Sequence, residues 1–208
     1  PAVAAFPNRM FYFKECLEPV PLSHQKETRL HYEQPSQDTL DDALKAHRML
    51  FIPSKICHHS QLSDKVNPDE AHIVAILLGR IYRFYGNAFD ADKTIGVIVP
   101  YRNQIAMIRK EIEKLGIKAL ERISIDTVER YQGSQRDVII YSFTVQHRYQ
   151  LDFLTANCFE ENGHIIDRKL NVAVTRARKQ MIITGNEMVL NQDPIFKELI
   201  ASCELGHL

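Results

Sequence analysis

The feature that most constrains this chain is a succession of short, uninterrupted apolar runs rich in β-branched residues. Met49-Leu50-Phe51-Ile52-Pro53, Ile95-Gly96-Val97-Ile98-Val99, Val138-Ile139-Ile140-Tyr141-Ser142-Phe143 and Met181-Ile182-Ile183 do not show the apolar-polar alternation of a strand with one wet face, and Ile123-Ser124-Ile125 is also strand-like. Strands that are apolar at consecutive positions need cover on both faces. A central, mainly parallel sheet between two layers of helices supplies it. The chain therefore reads as an α/β, three-layer domain.

The stretches between the runs carry helix signals. Asn67-Pro68-Asp69-Glu70 places a cap, a first-turn proline and two acids ahead of Ile73, Ile76, Leu77 and Ile81, and the acids suit the positive end of the helix dipole. Ile105, Ile108, Ile112 and Leu115 share a helical face before Gly116, and a further helix is expected near 168–178. Pro7, Pro19, Pro21 and Pro35 interrupt the first fifty residues, so 13–48 reads as an irregular or partly helical excursion ordered by docking on the rest. One domain over 1–208 accommodates these elements. The opening PAVAAFPNRMFYF looks like a boundary inside a longer chain.

Composition narrows the function. The 26 basic and 26 acidic residues cancel, so binding to nucleic acid must be argued from motifs and not from bulk charge. Cys16, Cys57, Cys158 and Cys203 are scattered, without zinc or redox spacing. They read as reduced thiols of an intracellular, cytoplasmic protein. No apolar run approaches the roughly 20 residues of a membrane span, and no membrane partner is expected. A metal-dependent nuclease would need clustered carboxylates. Asp41 and Asp42 read instead as solvated residues of a flexible or helical surface segment, and no metal site is expected.

Ligands of parallel α/β sheets bind at loops leaving the carboxyl ends of strands, which singles out three segments. Pro100-Tyr101-Arg102-Asn103-Gln104 follows the run at 95–99, and a plain polar turn would look the same. In Ser124–Asp137, Gly133 can let backbone amides approach a phosphate, Gln132 can position a water or phosphate oxygen, and Thr127 can bond a nucleic-acid phosphate. A turn with an obligatory glycine is the other reading. In Arg168–Arg178, Arg176 or Arg178 can compensate a helix dipole. Either can also neutralise charge on a transferring γ-phosphate.

In this order and spacing the segments resemble motifs IV, V and VI of superfamily 1 (1B) DNA/RNA helicases of the nonsense-mediated-decay-helicase-like branch. VIVPYRNQ resembles the strand and Pro-Tyr-x-x-Gln turn of that family. TVERYQGSQRDVIIYS resembles its Ser/Thr-Val-Asp-x-Phe-Gln-Gly-x-Glu-x-Asp segment, and LNVAVTRARKQMIITGN, the closest match, its Leu-Asn-Val-Ala-hydrophobic-Thr-Arg-Ala-Arg segment. The opening PAVAAFPNRMFY resembles the stretch after the family's Tyr-Arg-Met-His-Pro element. Glu129 departs from the family's Asp and Gln135 from its Glu.

The resemblance implies a second, C-terminal RecA-like domain of P-loop-NTPase type that lacks the phosphate loop, since no Gly-x-x-x-x-Gly-Lys-Ser/Thr occurs. ATP and Mg²⁺ would be held mainly by an upstream RecA-like domain of the same polypeptide, with single-stranded DNA or RNA across the top of both. Arg176 would be the catalytic arginine finger. Gln132, Gly133, Arg178, Tyr101, Arg102 and Gln104 would contact the nucleotide, and Thr127 and Gln135 the nucleic acid. The expected function is the C-terminal motor domain of an ATP-dependent helicase or translocase, inactive without its upstream half. The alternative is a non-catalytic, helicase-like module that binds nucleic acid or protein, which Gln135 in place of Glu would suit.

Overall fold

The apolar runs assemble into one six-stranded sheet of order β3-β2-β4-β7-β1-β8. Its strands are β1 (Met49–Pro53), β2 (Ile95–Val99), β3 (Ser124–Thr127), β4 (Arg136–Ser142), β7 (Ala177–Gly185) and the two-residue β8 (Glu204–Leu205), and every pairing is parallel. The computed structural model describes residues 3, 6–8, 30, 32, 34–57, 63–131, 135–156, 158–161 and 164–208.

The strands β1, β2, β4 and β7 each feed two cores, as their continuous apolarity requires. Leu50, Ile52, Val97, Val99, Val138 and Ile140 point to one face. It is covered by α1 (Thr39–Ala46), α2 (Pro68–Tyr85), α3 (Arg102–Lys114) and α4 (Lys118–Glu121). Met49, Phe51, Ile98, Ile139, Tyr141 and Met181 point to the other. That face is covered by α5 (Tyr149–Leu154), α6 (Arg168–Thr175), α7 (Glu187–Leu190) and α8 (Pro194–Ala201). Each fully buried Val, Leu or Ile contributes about 1.5–3 kcal/mol, so a strand buried on both sides is held far more firmly than one with a wet face.

The helix starts follow from capping. The Asn67 side chain accepts from the amides of Asp69 and Glu70 at 3.0 and 3.3 Å, satisfying donors that the first turn of α2 leaves unpaired. Gly116 takes φ +65° just after α3, a conformation that costs other residues steric strain.

Two expectations are corrected. Asp41 is not a solvated surface acid. It is fully buried on α1, bonded to Arg80 Nη1 at 2.7 Å and to Arg83 Nη2, so it clamps α1 to α2. Asp42 alone is exposed. The helix expected through 178 ends at Thr175, because Ala177 already pairs with β4, and Arg178 therefore lies in a strand. The strands β5 (Cys158–Glu161) and β6 (His164–Asp167) form an unanticipated antiparallel pair, apart from the main sheet. Among the described residues no helix is long and apolar enough to cross a membrane.

Candidate functional site

The topology distributes the predicted residues over two opposite edges of the sheet. Tyr101, Arg102 and Gln104 follow Val99, whose register partner is Thr127 at the end of β3, so these four lie at the carboxyl edge. Gln135, Arg176 and Arg178 lie at the amino edge, where Arg136 opens β4 beside Ala177 at the start of β7. The seven residues of β4 separate the edges by about 20 Å at roughly 3.3 Å per residue. The expectation that all three segments follow strands therefore holds for the first only in full. The second begins with β3 and ends in the first residues of β4, and the third runs from α6 into the start of β7. Gln132 and Gly133 lie outside the described residues.

At the amino edge, Arg176 stands between the end of α6 and β7, with its Nε donating to Val172 O at 3.2 Å and its Nη2 to Thr175 Oγ1 at 3.4 Å. Two of its five N–H donors thus serve the carbonyl end of its own helix, the dipole-compensating arrangement. Arg178 is half-exposed, and its Nη1 stands 4.0 Å from Asp137 Oδ1, whose other oxygen takes Lys179 Nζ at 2.7 Å. Gln135 is exposed, and its carbonyl accepts from Arg136 Nη1 at 3.0 Å.

At the carboxyl edge the segment after β2 divides. Arg102 is exposed on the first turn of α3. Tyr101 is buried and stacks on Phe153 with centroids 5.2 Å apart, while Lys169 Nζ lies 4.6 Å from the Phe153 ring. Gln104 is wholly buried. Its Oε1 accepts from Asn67 N and its Nε2 donates to Asn67 O, both at 2.9 Å. Its amide is consumed in tying α3 to the start of α2 and presents no face to a ligand. Thr127 is nearly buried, and the turn after it is anchored by Glu129, whose carboxylate reaches Lys169 on α6 at 3.2 Å.

Residues 1–188 of the chain match a family described as an AAA domain. The chain belongs to this AAA-domain family. It is 31% identical over 207 residues to the probable RNA helicase armi of Drosophila melanogaster, covering 98% of this chain and 17% of that protein. It is 38% identical over 111 residues to the regulator of nonsense transcripts 1 of Dictyostelium discoideum, covering 51% and 8%. A 204-residue match at 26% identity, covering 95% and 27%, links it to the uncharacterized ATP-dependent helicase MJ0104 of Methanocaldococcus jannaschii. The AAA domain is that of a superfamily 1 helicase, as its motifs indicate, and it spans about a quarter or less of these relatives' length.

The carboxyl edge of the AAA domain also holds a polar knot that sequence reasoning missed. Glu70 is fully buried beneath the ends of β1 and β4. Its Oε1 accepts from Ser54 Oγ at 3.1 Å and its Oε2 from Ser142 Oγ at 2.6 Å and Thr144 N at 2.7 Å. Burial pushes its pKa up to about 7, against the hydrogen bonds from Ser142, Thr144 and Ser54. Thr144 has φ +62°, rare for a β-branched residue and costing about 1–3 kcal/mol. Glu70 holds the amide of that strained residue. In the sequence Glu70 is one of two acids at a helix start, a position that the helix dipole alone accounts for.

A second missed residue is Tyr131, buried on the face opposite α2, with its hydroxyl donating to Ser124 O at 3.3 Å. It lies over Gly96, where a Cβ would stand 2.8 Å from the Tyr131 Cζ. The glycine in the apolar run 95–99 thus makes room for the segment that crosses β2 on its way from β3 to β4.

Proposed function

We propose that the chain is the C-terminal motor domain of an ATP-driven nucleic-acid helicase or translocase, with its amino edge facing the nucleotide and its carboxyl edge facing the single strand. The observation that carries this reading is the placement of Arg176 beside Arg136 at the amino edge, about 20 Å from Thr127 and Arg102. Separate edges let one domain hold a nucleotide site and a strand path at the same time. Gln135 moves with Arg176 to the nucleotide side, and Tyr101 and Arg102 move to the strand side.

The amino edge suits an anion, since Arg136, Arg176, Arg178 and Lys179 cluster there and Asp137 is engaged by Lys179. ATP with Mg²⁺, held mainly by an upstream RecA-like domain, supplies the phosphoanhydride whose hydrolysis drives the motor. Arg176 neutralises the charge that builds on the terminal phosphoryl oxygens as water attacks and the bond to the ADP oxygen breaks. Because that contact exists only with the two domains closed, the guanidinium couples nucleotide state to closure. At the other edge, the Thr127 hydroxyl and the Arg102 guanidinium contact strand phosphates, which position nucleic acid without reading its sequence.

Steady-state ATPase of the full-length protein tests the reading. Single-stranded nucleic acid should stimulate turnover, and Arg176→Ala should lower kcat by roughly 10³-fold. Wild-type turnover in the variant overturns the arginine-finger role. Absence of ATPase from the unmodified protein would favour the non-catalytic module, which the replacement of Glu by Gln135 suits.

A further inference from the structure

We propose that Arg136 is a second anion-binding side chain at the amino edge, acting with Arg176 on the same terminal phosphate. The inference rests on the reading that this edge faces the nucleotide.

The two arginines are joined through the backbone, with Arg136 N donating to Arg176 O at 3.0 Å. The register of β4 against β7 shifts between Arg136 and Val138, and such irregularities re-aim side chains. Regular alternation would put residue 136 on the face of Val138 and Ile140, the α2 face. Instead its Cγ lies 3.2 Å from where a Cβ on Gly96 would stand, and its guanidinium 5.9 Å from the Tyr131 ring centroid, on the opposite face. Asp137 takes the α2 side, where its carboxylate accepts from Tyr85 Oη at 3.2 Å and from Lys179. The irregularity therefore puts Arg136 on the Tyr131 face and Asp137 on the α2 face, the reverse of what regular alternation from Val138 would give.

Among the described residues, what surrounds Arg136 does not satisfy it: its Nη1 donates to Gln135 O, its Nε is buried with no acceptor, and it forms no ion pair. A buried donor without a partner is costly. A guanidinium whose edge is unfilled matches the bidentate geometry of a phosphate. The ring of Tyr131 beneath it restricts the side chain, so little further ordering is needed to receive that ligand.

Affinities of the full-length protein for ADP and for a non-hydrolysable ATP analogue separate this role from a structural one. In Arg136→Ala the analogue should bind about tenfold more weakly, the loss expected for one charge-assisted bond. ADP should bind within about twofold of wild type. Arg136→Lys, which keeps the charge and disturbs packing least, should recover only part of the loss because it lacks the planar fork. Equal weakening of both nucleotides, or of neither, in both variants overturns the proposal. If Arg176→Ala discriminates analogue from ADP while the Arg136 variants do not, only the role of Arg136 fails. If Arg176→Ala does not discriminate either, the assignment of this edge to the nucleotide fails with it.

Discussion

Tyr131 occupies the space above Gly96 that any other residue's side chain would need. The Tyr131 Cζ lies 2.8 Å from the position of a Cβ there, and Arg136 Cγ lies 3.2 Å from it. This contact fixes where the segment between β3 and β4 crosses the sheet, and so where Gln135 and Arg136 emerge at the amino edge. Gly96→Ala should therefore cost about 1–3 kcal/mol, as overpacking does, and lower the urea midpoint of unfolding. A smaller residue at position 131 should relieve part of that loss. An unchanged midpoint in Gly96→Ala would show that the crossing is not held by this contact.

Glu70 should give the domain a characteristic pH dependence. Its folded-state pKa is raised to about 7 from an unfolded value near 4.5, so the native state holds a proton that the unfolded chain releases between those values. Its contribution to stability is fully present below about pH 4.5 and is lost as pH rises through about 7. Glu70→Gln removes that titration. The stability gap between wild type and variant, measured by urea unfolding, should be larger at pH 5 than at pH 8. A gap independent of pH would refute the assignment.

Gln104 should behave as a structural residue. Losing its two hydrogen bonds to the Asn67 backbone should destabilise Gln104→Ala by about 1–3 kcal/mol, while the KM for ATP in the full-length protein stays at its wild-type value. A raised KM without loss of thermal stability would restore the nucleotide-contact role that the sequence suggested.

Asp41→Ala should loosen α1. The carboxylate is buried against Arg80 and Arg83, whose side chains are 23% and 28% exposed. These arginines can rehydrate, so the loss should be about 1–3 kcal/mol, below that for a fully enclosed pair. Limited proteolysis should then cut within 34–48 faster than in the wild type, and equal cleavage rates would contradict the clamp.

The sequence made the strands legible because burial on both faces leaves an unbroken apolar run, and it made the start of α2 legible because caps are local chemistry. The strand order was not legible, since pairing β4 with β7 depends on contacts far apart in the chain. The β5–β6 pair left a signal that went unread: Asn162-Gly163 separates Glu161 from its register partner His164, the two-residue spacing that favours a tight turn. Of the site, the motif residues could be named, but not their division between two edges. Ligands meet the carboxyl ends of strands, but Arg176 precedes β7 and Arg178 lies at its start. Gln104 looked like a solvent-facing residue of a first turn because nothing local reveals that the Asn67 amide needs an acceptor.

One titration tests the separation of nucleotide and strand edges most directly: ATPase rate of the full-length protein against single-strand concentration, for wild type, Arg102→Ala and Arg176→Ala. Arg102→Ala should raise the half-activating strand concentration severalfold through loss of a phosphate contact and leave the plateau rate unchanged. Arg176→Ala should lower the plateau by roughly 10³-fold. A plateau that survives in Arg176→Ala, or one that collapses in Arg102→Ala with no shift in half-activation, would contradict the assignment of the two edges.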